Sequence, residues 1–271
     1  LFATVLAGVC GAAVPAVNAA SSRSIRSASR TALVIGNSAY RNAPLENPVN
    51  DARLVSQTLT ELGFVVQTVE NATLNAMLDS MGQWISDSAD AKVRAFYFAG
   101  HGTQFRGDNY LVPVDLKLAQ ESEIRRKAVS LSAFVDSLSA QREAVNFVIV
   151  DACRTDPIAL LDGPRELSRG IKNLMQPGFS ARIAPRGTVV AYSTSPGALA
   201  ADSQGHGNSI FTQALTEYLR SPGLTVERMF KQVRARVMRA TRNSQVPWES
   251  SSLVGDFCFQ PNSSGQCGID E

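Results

Sequence analysis

The chain has 271 residues, enough for one large domain with a substantial core, and its 44% hydrophobic and 18% charged content excludes a disordered segment. The formal net charge is +2, and three of the positive charges, Arg23, Arg26 and Arg30, sit in one short stretch. What remains has no basic face or aromatic-basic stripe, so a nucleic-acid partner is not expected.

In chain order, Leu1 to Val14 is apolar and uncharged, and Ala16 to Ala20 offers small residues that suit removal by a signal peptidase. Residues 1–20 therefore read as a signal peptide without its basic start, which predicts an exported protein, periplasmic or secreted. The run is too short for a stable membrane span, and Val9 is a poor neighbour for lipid attachment at Cys10. Residues 21–30 are Ser/Arg-rich and aperiodic, and read as a flexible linker.

From Thr31 the pattern alternates between short apolar runs and amphipathic stretches. Thr31–Gly36, Phe64–Val69, Val93–Phe98, Asn146–Val150 and Thr188–Ser193 read as buried strands, and Leu253–Phe259 as a closing one. Between them, Asn47-Pro48 opens a helix with proline at its first position. Leu74–Ile85, Leu131–Leu138, Asn208–Leu219 and a helix capped by Thr225 complete the set. This order predicts an α/β domain over 31–260, with a mostly parallel sheet of about six strands flanked by helices. Residues 156–186 carry seven Pro and Gly residues and no period, and so read as a long functional loop. Residues 261–271 read as a frayed tail.

The chemistry centres on Cys153, placed just past the apolar run Asn146–Val150, where open α/β sheets put their ligands. A cysteine nucleophile needs a partner for its proton. Only two histidines are present. His206 sits in a Gly-flanked loop and reads as a surface residue. His101 follows a buried strand and stands 52 positions before Cys153 (153 − 101), room for one crossover between parallel neighbours. No second His or Cys stands at ligand spacing, so no metal site is expected. Cys258 and Cys267 lie close together and could pair in an oxidising compartment.

Tyr97-Phe-Ala-Gly-His101-Gly102 and Val150-Asp-Ala-Cys153-Arg154 resemble the paired motifs of caspase-like cysteine peptidases. Asp151, where caspases carry Gln, makes the resemblance one to the metacaspase and bacterial orthocaspase branch. Asn47-Pro-Val-Asn-Asp51-Ala52 and Tyr110-Leu-Val-Pro-Val-Asp115 agree with it, over roughly Arg30 to Gln260. The resemblance implies a caspase–haemoglobinase fold and a peptide or protein substrate. It implies Cys153 as nucleophile, His101 as general base and acid, and the backbone N–H groups of Gly102 and Cys153 as oxyanion donors. It also implies an acidic pocket for arginine or lysine built on Asp51 and Asp151. Ala99 stands where the family often has serine, which leaves the choice between arginine and lysine open.

Arg41 and Arg154 keep a rival in play, an arginine-lined pocket for aspartate. A second rival is a caspase-fold interaction module without activity. Calcium dependence occurs in some metacaspases, but no Asp/Glu cluster here matches such a site, and no cofactor is expected. A monomer is favoured over a dimer. Arg165, Arg169, Lys172, Arg182 and Arg186 make the 156–186 loop a candidate for self-cleavage.

Overall fold

The computed structural model describes residues 25–26, 28–118, 123–140, 144–154, 175–176, 183–195 and 207–267; for 153, 154, 175 and 176 it describes the backbone alone. The expected signal peptide, most of the 156–186 loop and His206 lie outside the described residues. In chain order the elements are β1 (Arg30–Gly36), α1 (Pro48–Glu61), β2 (Val65–Glu70), α2 (Leu74–Asp87), β3 (Val93–Phe105) and β4 (Asp108–Leu111). There follow α3 (Ile124–Lys127), β5 (Val129–Ser130), α4 (Leu131–Ser139), β6 (Val145–Arg154) and β7 (Met175–Gln176). The last are β8 (Thr188–Tyr192), α5 (Ile210–Leu219), α6 (Val226–Ala240) and β9 (Trp248–Ser251).

Strand order in the main sheet is β2-β1-β3-β6-β8-β9, parallel throughout except for β9, which runs antiparallel along β8. The strands are apolar on both faces because both faces are covered. Leu33, Phe96, Phe98, Val148 and Val190 pack with Met77 and Trp84 of α2 and Phe134 of α4. Their neighbours in sequence, Val34, Tyr97, Ile149 and Val189, turn the other way, toward Val55 of α1, Leu215 of α5 and Phe230 of α6. Strand alternation thus splits one continuous apolar run between two helical layers.

The helix starts follow local chemistry. Thr73, Ser130 and Ser209 each accept a hydrogen bond from the backbone N–H three residues on, at α2, α4 and α5. α1 has Pro48 in its first turn as expected, but the Asn47 side chain makes no capping bond, and neither does Thr225 at α6. Gly36 ends β1 directly under α1: a Cβ there would lie 2.5 Å from the Pro48 carbonyl oxygen and 2.6 Å from the Ala52 Cβ. The missing side chain is what lets the start of α1 lie on the end of β1.

Four expectations need correction. β3 and β6 run on past Phe98 and Val150, because each supplies the other's hydrogen-bond partners as far as Gly102 and Arg154. The closing strand is Trp248–Ser251 rather than Leu253–Phe259; Phe257 and Phe259 instead pack against Phe147, their ring centroids 4.8 and 4.7 Å from it. The linker is not free along its length: Ile25 is buried in the α2-side core, and Arg26 Nε lies 2.7 Å from Asp87 Oδ1. Arg30 donates to the carbonyl of Phe259 at 3.0 Å and lies over the Phe64 ring. The tail is held as far as Cys267 by a Cys258–Cys267 disulfide and a turn closed on Asn262.

The close approach at Gly36 yields a direct test. Gly36→Ala should destabilise the protein by about 1–3 kcal/mol, as overpacking in a tight core does. In thermal unfolding this is a Tm drop of roughly 3–10 °C. A Tm within 1 °C of the parent would show that the α1–β1 contact is not tight.

Candidate functional site

The sheet pairing brings His101 and Cys153 together. β1 stops pairing with β3 at Gly36 opposite Ala99, and β8 stops pairing with β6 at Tyr192 opposite Val150. β3 and β6 continue past both, with Gly100 opposite Ala152, His101 opposite Cys153 and Gly102 opposite Arg154. Adjacent strands lie about 4.8 Å apart. The two residues thus stand side by side past the ends of both flanking strands, at the carboxyl edge where such sheets bind ligands. A hairpin holds the overrun: Arg106 and Gly107, with φ of 51° and 81°, turn the chain so that β4 pairs back on β3 from Phe105 to Gly102.

The His101 side chain is buried, and its surroundings fix both its backbone and its ring. Its N–H donates to the Tyr40 hydroxyl at 2.9 Å, and its carbonyl accepts from Val112 N at 3.0 Å. The imidazole Nε2 lies 2.6 Å from the Ala43 carbonyl oxygen. A carbonyl only accepts, so Nε2 bears the hydrogen of the neutral ring and Nδ1 the lone pair. Nδ1 is then the nitrogen that can take up a proton.

Asp51 and Asp151 converge from α1 and β6 on the N-terminus of α5. Ser209 bridges them: its N–H donates to Asp51 Oδ1 at 2.9 Å, and its Oγ donates to Asp151 Oδ2 at 2.5 Å. Asn208 Nδ2 donates to Asp51 Oδ1 at 2.9 Å, and Thr212 Oγ1 to Asp151 Oδ2 at 2.9 Å. Both carboxyls are buried, at 2% and 4% exposure, and among the described residues no Lys or Arg pairs with either. Burial, and then the charge of Asp151, push the Asp51 carboxyl up to about 8. Burial also raises Asp151, against the hydroxyls of Ser209, Ser193, Thr212 and Tyr97, which favour its ionised form. Near neutrality the pair therefore holds fewer than two negative charges.

Ala99 is buried and lies opposite Asp151 in the β3–β6 register, on the floor of the same region. Arg41 is exposed and pairs with neither aspartate. Sequence reasoning missed Ser209, Thr212, Asn208 and Tyr40. Ser209 was the legible one, as a serine directly before an apolar helix; Tyr40 and the Ala43 carbonyl sit in an irregular loop that carries no periodic signal. Among the described residues no group of three or more His, Cys, Asp or Glu side chains could hold a metal ion, and no helix is long and apolar enough to cross a membrane.

Comparison with known proteins bears on this geometry. Residues 29–258 match the family model of the caspase domain, Peptidase_C14. The chain is 26% identical over 198 residues to human mucosa-associated lymphoid tissue lymphoma translocation protein 1, covering 70% of this chain and 22% of that protein. It is 28% identical over 159 residues to a "probable protease" of a Desulfuromonadales bacterium, covering 56% of this chain and 18% of that one. The chain thus spans about a fifth of the length of these curated relatives. The crystal structure of caspase-1 from Spodoptera frugiperda superposes with a TM-score of 0.62 at 20% identity, over 88% of this chain and 92% of that one. That likeness establishes the shared fold.

The carboxyl pair gives stability a pH dependence whose sign is fixed. Asp51 has a folded pKa above its unfolded value, so the folded state binds more protons between about pH 4 and pH 8 and loses stability as pH rises through that window. Asp51→Asn keeps an acceptor for Asn208 and Ser209 and removes the charge. It should unfold at a higher temperature than the parent at pH 8, by at least about 1.4 kcal/mol in stability, with the gap shrinking toward pH 5. An equal gap at both pH values would contradict the raised carboxyl.

Proposed function

The chain belongs to the caspase-domain family, and from that premise we propose that it is a cysteine endopeptidase that cuts after arginine or lysine. The observation that carries the specificity is the buried Asp51–Asp151 pair, cross-linked by Ser209 and unpaired with any Lys or Arg among the described residues. A guanidinium or ammonium group entering there would let both carboxyls ionise, with bidentate bonding open to arginine. An aspartate side chain would add a third acid to the same dry volume, which disfavours the rival reading.

In the proposed reaction His101 Nδ1 takes the thiol proton of Cys153, and the sulfur attacks the scissile carbonyl carbon. The electron pair moves onto the carbonyl oxygen, which the N–H groups of Gly102 and Cys153 hold. Collapse breaks the C–N bond, and the imidazolium gives its proton to the leaving amine. Water, activated by the same imidazole, then hydrolyses the thioester. The His101–Cys153 register supports this assignment, and the Ala43 carbonyl supports Nδ1 as the working nitrogen. Ala99 supplies no hydroxyl to the pocket, which favours acceptance of lysine as well as arginine.

Export fits the Cys258–Cys267 disulfide, which persists in an oxidising compartment. Self-cleavage after Arg165, Arg169, Lys172, Arg182 or Arg186 belongs to the same proposal. Fluorogenic peptides with Arg, Lys or Asp before the cut test the reading. Arg and Lys peptides should turn over, the Asp peptide at less than about a hundredth of that rate, and Cys153→Ala or His101→Ala should lower turnover by about 1,000-fold or more. Preference for Asp would overturn the pocket, and turnover independent of Cys153 would overturn the mechanism. On incubation, intact mass should show fragments ending in these Arg or Lys residues for the parent and none for Cys153→Ala; identical patterns would sink self-cleavage.

A further inference from the structure

The loop between β1 and α1 meets His101 from two sides, through the Ala43 carbonyl at Nε2 and through Tyr40. Tyr40 is buried, and its hydroxyl sits at a junction: it accepts the His101 N–H at 2.9 Å and donates to the Val112 carbonyl at 3.0 Å. Val112 N in turn donates to the His101 carbonyl at 3.0 Å, so the backbone on both sides of His101 is tied into one small ring of bonds. The Tyr40 ring centroid lies 4.2 Å from that of the imidazole, the planes tilted by 42°.

The surroundings are shaped to admit this side chain. Gly100, at φ +155°, precedes His101, and a Cβ there would stand 2.5 Å from the Tyr40 oxygen. The loop itself is pinned. Asn71 Oδ1 accepts from both Ser38 N and Ala39 N at 2.9 Å, and Ser38 O accepts from Tyr40 N and Leu45 N at 2.9 and 3.0 Å. Tyr40 packs in a small satellite cluster with Val112, apart from the two main cores.

We propose that Tyr40 is a positioning residue for His101, its hydroxyl fixing the backbone beneath the imidazole and its ring flanking the imidazolium that forms when the thiol proton is taken. This rests on the reading of His101 as the general base. The two parts of the side chain do separable things. The hydroxyl sets where Nδ1 points. The π face attracts a cation within about 6 Å of its centroid, and so favours the protonated ring. Among the described residues that meet His101, Tyr40 of the β1–α1 loop is titratable and Val112, on the β4 side, is not; Cys153 is its register partner on β6.

Two variants separate the parts. Tyr40→Phe removes only the hydroxyl, and should lower kcat about ten-fold, the loss expected for one buried hydrogen bond, with KM within about two-fold and an unchanged pH profile. Tyr40→Leu removes the ring too, and should lower kcat further and move the acidic limb of kcat/KM to lower pH. The chain has two histidines, so a histidine-labelled NMR titration resolves His101 without any turnover. In a Cys153→Ala background, Tyr40→Leu should shift the His101 titration to lower pH and Tyr40→Phe should not. Unchanged kcat and an unchanged His101 titration in both variants would overturn the proposal, as would a loss of kcat that matches a loss of folded protein in thermal unfolding. If no peptide is cut at all, the peptidase reading fails by itself, and the NMR titration alone decides the role of Tyr40.

Discussion

Two carboxyl groups that share a water-poor volume cannot both hold a negative charge cheaply unless a cation joins them. Asp51 and Asp151 are in that position, and the rest of the site is arranged around it. Ser209 contributes its N–H to one and its hydroxyl to the other, so the first turn of α5 acts as the clamp between a helix and a strand that are remote in sequence. Hydrogen bonds alone leave the pair short of full ionisation, as the upward push on both carboxyls shows. The missing component is a positive charge, and the proposed substrate brings one.

The same geometry puts the proposed chemistry beside the proposed pocket. Asp151 still lies within the body of the sheet, opposite Ala99, while Cys153 lies two residues further along, past the ends of β1 and β8. The proposed specificity and the proposed reaction thus rest on residues two apart on one strand. The overrun needs support other than β1 and β8, because neither reaches that far. β4 and the Tyr40–Val112 bonds provide it, and Gly100 leaves the space for the hydroxyl. Precision at His101 thus depends on a loop that contributes little to the core.

What the sequence made legible follows the same division. Buried strands and amphipathic helices were readable because burial on two faces or one stripe leaves a period, and the parallel order followed from their alternation. Cys153 and His101 stood out by chemistry and spacing. The boundaries failed where pairing, not propensity, decides: the residues from Ala99 to Phe105 look like a Gly-rich loop, yet β4 and β6 hold them extended. Leu253–Phe259 has the composition of a strand, but its aromatics face a cluster with Phe147 while the plainer Trp248–Ser251 takes the sheet edge. Asp51 and Asp151 could be named, but not the clamp between them, since no local pattern reports that Ser209 reaches two elements at once.

The central claim is that a substrate cation completes the ionisation of the Asp51–Asp151 pair. Calorimetry of an uncut arginine peptide binding to the Cys153→Ala protein, repeated at neutral pH in buffers of different ionisation enthalpy, counts the protons exchanged. Binding should release up to about one proton per site, with the release fading above pH 8 and absent in Asp51→Asn. Binding with no proton release, or equal affinity for an aspartate peptide, would contradict the account.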